Sequence, residues 1–298
     1  MNLILSNVLK KPQFCDWLCG MTDGDGTFSF CINKKKNNIW NCTFKIAQST
    51  SNLRLLYFIK FNLGCGQINL KAGKNMAELR IRKRDILINV IVPIFKKHHL
   101  YSTKIFYFQQ FEKALEILEN DHLCTEQKHK ALHNLKQNIP PINYISPNWF
   151  ENPSNDWIYG FTEAEGSFFL TAKGFSEKKC FLPLTLPIPQ GSEEKIKQPR
   201  MVHSFGITQK LNKEILEFIR SKLHIASKIQ FSKKKFYKLE TSNSRALEKI
   251  KNFYLKKLKG MKSLEYKIWA RSLNYKNNFD KLFKIQAQLR KLRSFAKK

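Results

Sequence analysis

The stretch WLCGMTDGDGTFSF at residues 17–30 recurs as WIYGFTEAEGSFFL at residues 157–170, and the two align without a gap. Trp17 matches Trp157, Gly20 matches Gly160, Asp23 matches Glu163, Asp25 matches Glu165 and Phe28 matches Phe168. The last acid of the second copy follows that of the first by 140 residues (25 to 165), close to half of the 298-residue chain. In each copy an apolar, helix-like run passes through acid and glycine into a strand-like run. Two copies in register imply a duplicated unit: a first half over residues 1–137, a second over 157–298, and a Pro- and Asn-rich linker, NIPPINYISPNWFENPSND, over 138–156.

The order of signals after each junction also repeats. Phe28, Phe30 and Ile32 alternate with polar residues, the period of a half-buried strand. After a turn at residues 34–38, Trp40, Cys42, Phe44 and Ile46 alternate in the same way up to Gln48. An amphipathic helix follows, with Leu53, Leu56, Ile59 and Leu63 on one stripe and Gly64 at its end. Two short strands at 67–71 and 77–82, a helix from Arg84 and a last helix at 104–118 close the half. The second half matches FKIAQ with FGITQ, so that Gln209 answers Gln48, and it carries an extra proline-containing segment at 173–200, read as a surface loop. Four strands per half with helices between them predict an α+β fold whose sheets are covered on one face and open on the other.

The open face has a particular composition. Lys45, Gln67, Asn69, Lys71, Glu78, Arg80 and Arg82 point one way, against Phe44, Ile68, Leu70, Leu79 and Ile81. In the second half Lys228, Gln230, Lys238 and Glu240 oppose Ile229, Phe231 and Leu239. Ser29, Asn33 and Lys35 of the first hairpin, with Thr171 and Lys173 of the second, join the same candidate surface. A merely solvated face alternates in the same way, but Arg, Lys, Gln and Asn are also the side chains that read base edges in a major groove. Lys and Arg total 53 against 23 acids, a net charge of +30. So large a charge opposes compaction and is best explained by a polyanionic partner.

Other classes are disfavoured. The apolar run ILINVIVPIF at 86–95 holds Asn89 and Pro93 and is too short to span a bilayer, and no charged region precedes the apolar N-terminal residues as in a signal peptide. The seven cysteines form no CxxC pair, so neither a zinc ribbon nor a disulfide framework is indicated. Cys15 and Cys19 read as core thiols of a protein in a reducing compartment.

Gly20 and Gly24, like Gly160 and Ala164, stand four apart and give each motif helix a stripe of small residues, which lets helix backbones approach closely. Packed through these stripes, the helices would bring Asp25 and Glu165 together at their C-terminal ends. Two carboxylates at the negative ends of two helix dipoles repel. Hard divalent cations relieve that repulsion, and Mg²⁺ is commonly held by one or two carboxylates together with phosphate oxygens.

LCGMTDGDG at 18–26 and IYGFTEAEG at 158–166 resemble the two motifs of a single-chain LAGLIDADG homing endonuclease, and the resemblance covers nearly the whole chain. It implies two pseudo-symmetric αββαββα units whose antiparallel or mixed sheets form a saddle over double-stranded DNA. By position, Asp25 and Glu165 would bind the metals with the backbone carbonyls of Gly24 and Ala164, and Gln48 and Gln209 would order water around them. Lys104 and Lys262 match the family's active-site lysines, whereas Asp23 and Glu163 take a structural position. The implied reaction is Mg²⁺-dependent hydrolysis of both strands of a long asymmetric target by a monomer, leaving short 3′ overhangs, with Ca²⁺ supporting binding only. Unlike the first motif, the second has Glu at both acidic positions, which makes the two half-sites chemically unequal. The richness in Lys, Asn, Ile and Phe suits an AT-rich organellar intron, and the implied role is intron mobility. The rival reading is a maturase that binds its own intron RNA on the same fold. A paired-carboxylate glycosidase is remote, because a +30 chain does not suit a sugar substrate.

Overall fold

The computed structural model describes residues 3–33, 38–174 and 200–297. The first half contains α1 (Leu3–Leu9), α2 (Pro12–Asp25), β1 (Gly26–Asn33), β2 (Ile39–Ser49), a 3₁₀ turn at Thr50–Asn52, α3 (Leu53–Leu63), β3 (Gln67–Leu70) and β4 (Met76–Ile81). Then come α4 (Arg84–Ile86) and α5 (Val92–Lys97), joined by a π-helical segment at Leu87–Ile91, and next α6 (Lys104–Glu119) and α7 (Thr125–Gln137). The second half contains α8 (Asn155–Glu165), β5 (Gly166–Lys173), β6 (Arg200–Gln209), α9 (Lys213–Lys222), β7 (Gln230–Ser232), β8 (Phe236–Thr241), α10 (Ser244–Phe253), α11 (Met261–Ser272) and α12 (Phe279–Lys297).

Each half builds a four-stranded antiparallel sheet, ordered β1-β2-β4-β3 in the first and β5-β6-β8-β7 in the second. The inward residues of each sheet meet the helices in matching aromatic clusters. Phe28 lies 5.1 Å from both Phe44 and Phe95, centroid to centroid. Its counterpart Phe168 lies 5.2 Å from Phe205 and Trp269. Local sequence sets the helix ends. Pro12 opens α2, where its missing N–H costs nothing. The Ser154 hydroxyl accepts the Trp157 N–H and caps α8. Gly64 ends α3 in the left-handed region at φ 69°, donating its N–H to the Lys60 carbonyl at 2.9 Å.

The halves meet through α2 and α8, and the meeting is backbone on backbone. A Cβ built on Gly20 would lie 1.9 Å from the Trp157 carbonyl oxygen, and one on Gly160 would lie 1.9 Å from the Trp17 carbonyl oxygen. A Cβ on Gly24 would lie 2.2 Å from the Ala164 Cβ. The small-residue stripes therefore form the seam, as the sequence predicts.

The sequence signals leave α1, α7 and α12 unmarked. In α7, His129 Nδ1 accepts from the Trp40 indole at 3.1 Å, at the end of the first hairpin. In α12, Leu282 and Leu289 enter the core, and the Gln286 amide donates to the Leu170 carbonyl at 2.8 Å. The expected turn at 34–38 falls largely outside the described residues, as does most of the expected loop at 173–200.

Candidate active site

Asp25 and Glu165 are the last residues of α2 and α8, and each helix gives way directly to a strand at Gly26 or Gly166, both extended. The packed seam thus delivers one carboxylate from each half to one place. Burial raises the Asp25 pKa, against the pull of Gln48, Lys104 and Lys262. Burial, with the Asp25 charge beside it, raises Glu165 to about 7. Gln48, at the end of β2, donates to Asp25 Oδ2 at 2.5 Å. Gln209, at the end of β6, hydrogen-bonds Glu165. The repeat thus places the same amide beside each acid.

The lysines stand at the starts of two equivalent helices, α6 and α11. Lys104 Nζ donates to the Gly24 carbonyl at 2.6 Å, and burial lowers its pKa while Asp23, Asp25 and Glu165 oppose the shift. Lys262 Nζ instead lies 3.4 Å from Glu265 Oε2, and Arg293 of α12 donates to Glu265 Oε1 at 3.1 Å. Burial would raise Glu265, but Lys262 and Arg293 outweigh it and hold the carboxyl below its ordinary range. The two lysines therefore have different partners, one a carbonyl and the other a carboxylate.

Asp23 and Glu163, two residues earlier, are buried and tether those same helices. Asp23 accepts the N–H groups of Tyr101 at 2.8 Å and Ser102 at 3.0 Å, together with the Ser102 hydroxyl. Glu163 accepts the N–H groups of Lys259 at 2.7 Å and Gly260 at 3.0 Å. Burial raises both carboxyls, and the hydrogen bonds oppose it. The Trp157 indole donates to Asp23 at 2.9 Å, whereas the indole nitrogen of its counterpart Trp17 is buried with no partner among the described residues.

The hard oxygens brought together here are the carboxylates of Asp25 and Glu165, since Gln48 turns its amide nitrogen to Asp25 and its oxygen to Asn52. No group of three His, Cys, Asp or Glu side chains suited to a metal stands among the described residues. A cation here gains two carboxylates at most and completes its shell with water and phosphate, as Mg²⁺ does. The raised pKa values of Asp25 and Glu165 mark where positive charge would be most stabilising. The expectation for Gly24 is modified, because its carbonyl already accepts from Lys104, although a second lone pair remains.

The open sheet face is largely as expected. Lys45 pairs with Arg80, which pairs with Gln67, so the three share a row, and Asn69 pairs with Glu78 in the next row. Arg82 lies just past β4 and donates to the Thr43 hydroxyl at 3.3 Å. With Gln67, Asn69 and Arg80 it lines a cleft of about 520 Å³. Ser29 and Asn33 on β1 share this parity, as do Thr171 and Lys173 on β5 and Gln230 paired with Lys238 in the second sheet. Lys228 precedes β7 and is exposed, and Lys238 ion-pairs with Glu240.

Three expectations change. Glu78 is not exposed: its side chain is buried, beside Ala47 across the strand pair, where it ion-pairs with Lys71 at 3.3 Å and with Arg80. It therefore holds two basic side chains rather than presenting an acid to a partner. Leu70, the last residue of β3, and Phe231, the middle residue of β7, expected inward, are 65% and 62% exposed on short edge strands. Lys35 lies outside the described residues.

The LAGLIDADG endonuclease profile matches residues 18–115, which include the first motif. The probable intron-encoded endonuclease Cox1-I1b of Schizosaccharomyces pombe is 34% identical over 294 residues, 96% of this chain and 70% of that protein. The chain belongs to the LAGLIDADG endonuclease family. Solved LAGLIDADG meganucleases share its two-half fold. I-SmaMI bound to an uncleaved DNA target with calcium ions superimposes with a TM-score of 0.73 at 21% identity, over 95% of this chain and 99% of that one. I-CpaMI bound to uncleaved DNA gives 0.70 at 21% identity, over 92% of this chain and 97% of that one.

Asn52, Asn212, Glu265 and Arg293 carry no strong sequence signal as parts of this LAGLIDADG site. An Asn shortly after each Gln was the available signal, but the spacing is four residues in one copy and three in the other. Nothing in sequence connects Glu265 to Arg293 across the turn between α11 and α12.

Proposed function

We propose that this protein cuts both strands of a long, asymmetric DNA duplex in a Mg²⁺-dependent reaction, acting as a monomer within an organelle and promoting the mobility of its intron. The observation that carries the reading is the pairing of Asp25 and Glu165 across the seam, each with its own amide and each half with its own lysine. A divalent cation held by these oxygens would supply Lewis-acid neutralisation at the attacked phosphate. The chain's own residues do the rest. Gln48 and Gln209 fix the carboxylate rotamers. Lys104, its proton loosened by burial, is suited to move that proton near the reacting oxygens. Lys262, held by Glu265, is placed to meet the charge that develops on the phosphorane. The sheet faces bind and orient the duplex, the arginines reading guanine edges and the lysines meeting phosphates. Two unlike half-sheets suit a non-palindromic target of roughly two helical turns, about 20 base pairs.

The test is selection of cut sites from a random duplex library in Mg²⁺, with the ends mapped, for the wild type and for Asp25→Asn. The expected result is one long site with short 3′ overhangs, no cutting by Asp25→Asn, and retained binding by that variant in Ca²⁺. Normal cutting by Asp25→Asn would refute the assignment, and RNA-only binding by the wild type would favour the maturase alternative.

A further inference from the structure

Each lysine-bearing helix is tethered twice. One tether comes from its own half, through Asp23 to the residues before Lys104 and through Glu163 to those before Lys262. The other comes from the opposite half. Asn52, in the 3₁₀ turn after β2, is buried, and its Oδ1 accepts the Met261 N–H at 2.8 Å. Asn212, ahead of α9, accepts the Thr103 N–H at 3.1 Å and the Thr103 hydroxyl at 3.0 Å. Met261 and Thr103 are the residues immediately before Lys262 and Lys104.

The backbone around both contacts is shaped to permit them. Asn212 sits in the left-handed region at φ 61°, a conformation Asn tolerates far better than most residues. A Cβ on Gly260 would come within 2.5 Å of Asn52 Oδ1, so the first half reaches this amide only because residue 260 has no side chain. Asn52 also donates through Nδ2 to Gln48 Oε1 at 2.8 Å, and Gln48 in turn donates to Asp25. A continuous chain of three hydrogen bonds therefore runs from the Asp25 carboxylate across the seam to the N-terminus of α11.

We infer that Asn52 and Asn212 are reciprocal positioning residues, each fixing the lysine of the opposite half and so tying the cutting of one strand to the integrity of the other half. The first turn of a helix has N–H groups with no intrahelical acceptor, and an acceptor brought from outside sets where that turn lies. Loss of one acceptor frees one lysine, and loss of Asn52 also removes a hydrogen bond from Gln48. Displacement by about 1 Å is enough to cost ~100-fold in a well-ordered site.

The inference rests on the nuclease reading, and the experiment has two arms so that the two fail separately. In the first, strand-specific nicking is followed on the target for Asn52→Ala and Asn212→Gly, the glycine keeping the left-handed backbone unstrained. Each variant should slow one strand by ~10-fold or more with DNA affinity retained, and the slowed strands should be opposite. Asn212→Asp, which keeps the acceptor, should restore the rate. Equal slowing of both strands, or loss of rate in proportion to affinity, would overturn the inference by making these residues general seam contacts. In the second arm, needing no DNA, amide exchange is measured at Met261 and Thr103. Asn52→Ala should accelerate exchange at Met261 alone, and Asn212→Gly at Thr103 alone. Unchanged exchange would overturn the cross-tie even where cleavage is seen, whereas a chain inert on DNA with the expected exchange pattern would remove only the nuclease reading.

Discussion

Replacing Glu165 with Gln isolates the energetic consequence of bringing two acids together. Burial and the Asp25 charge raise the Glu165 pKa from 4.5 to about 7 in the folded protein. An unfolded chain releases that proton near the ordinary value. Between the two values the folded state holds more protons, so stability falls as pH rises through this window. The contribution of the neutral carboxyl is fully present below pH ~4.5 and is lost above pH ~7. At about 1.4 kcal/mol per pH unit, the penalty at pH 8 is roughly 3 kcal/mol. Glu165→Gln removes the titrating group and keeps the shape. In metal-free buffer the variant should match wild type near pH 4 and exceed it by up to about 3 kcal/mol near pH 8. Urea denaturation at the two pH values measures this directly, and Ca²⁺ should narrow the gap by stabilising the wild type alone. A stability difference that is the same at both pH values would refute the reasoning, because the two acids would then not meet in a desolvated site.

Three further outcomes are expected. Gly20→Ala should destabilise the fold by about 3 kcal/mol or more, since its methyl would meet the Trp157 carbonyl rather than a yielding side chain; Gly73→Ala, in open space but at φ 68°, should cost less, and equal losses in thermal denaturation would argue against the seam. Lys104→Met should slow single-turnover cleavage far more than it weakens binding in Ca²⁺, whereas equal losses would make Lys104 an ordinary phosphate contact. Arg80→Ala should relax preference at one or two base pairs by about 1–3 kcal/mol, and a flat loss across single-base variants of the target would mean that this face does not meet the bases.

The seam and the pairing of its acids were legible because duplication doubles every signal. Gly20 and Gly160, Asp25 and Glu165, and Gln48 and Gln209 each occur twice at matching offsets, and geometry then follows from helix packing alone. What was hidden depends on depth or on distant partners. Strand alternation assigns Glu78 to the open face correctly, yet says nothing about Ala47 leaving room opposite it or about Lys71 and Arg80 closing over it. The α12 stripe of Leu282, Gln286, Leu289 and Arg293 has helical spacing, but two of its four members are polar and disguise it as a solvated basic tail. Asn52 and Asn212 escaped because their distances from the repeated Gln differ by one residue, which a gapless comparison cannot absorb.

The unequal indoles imply that the seam has a direction. Trp157 finds Asp23, whereas the buried indole nitrogen of Trp17 finds no partner among the described residues. Two first halves joined in tandem would give both tryptophans an aspartate and would set Gly24 against Gly24. Two second halves would give neither indole an aspartate and would force Ala164 against Ala164, where a methyl opposite Ala164 would already stand 2.2 Å away. Sedimentation of the isolated halves should therefore find the first more inclined to self-associate, and equal behaviour would contradict this. The seam thus fits one first half against one second half better than it fits either half against its own copy.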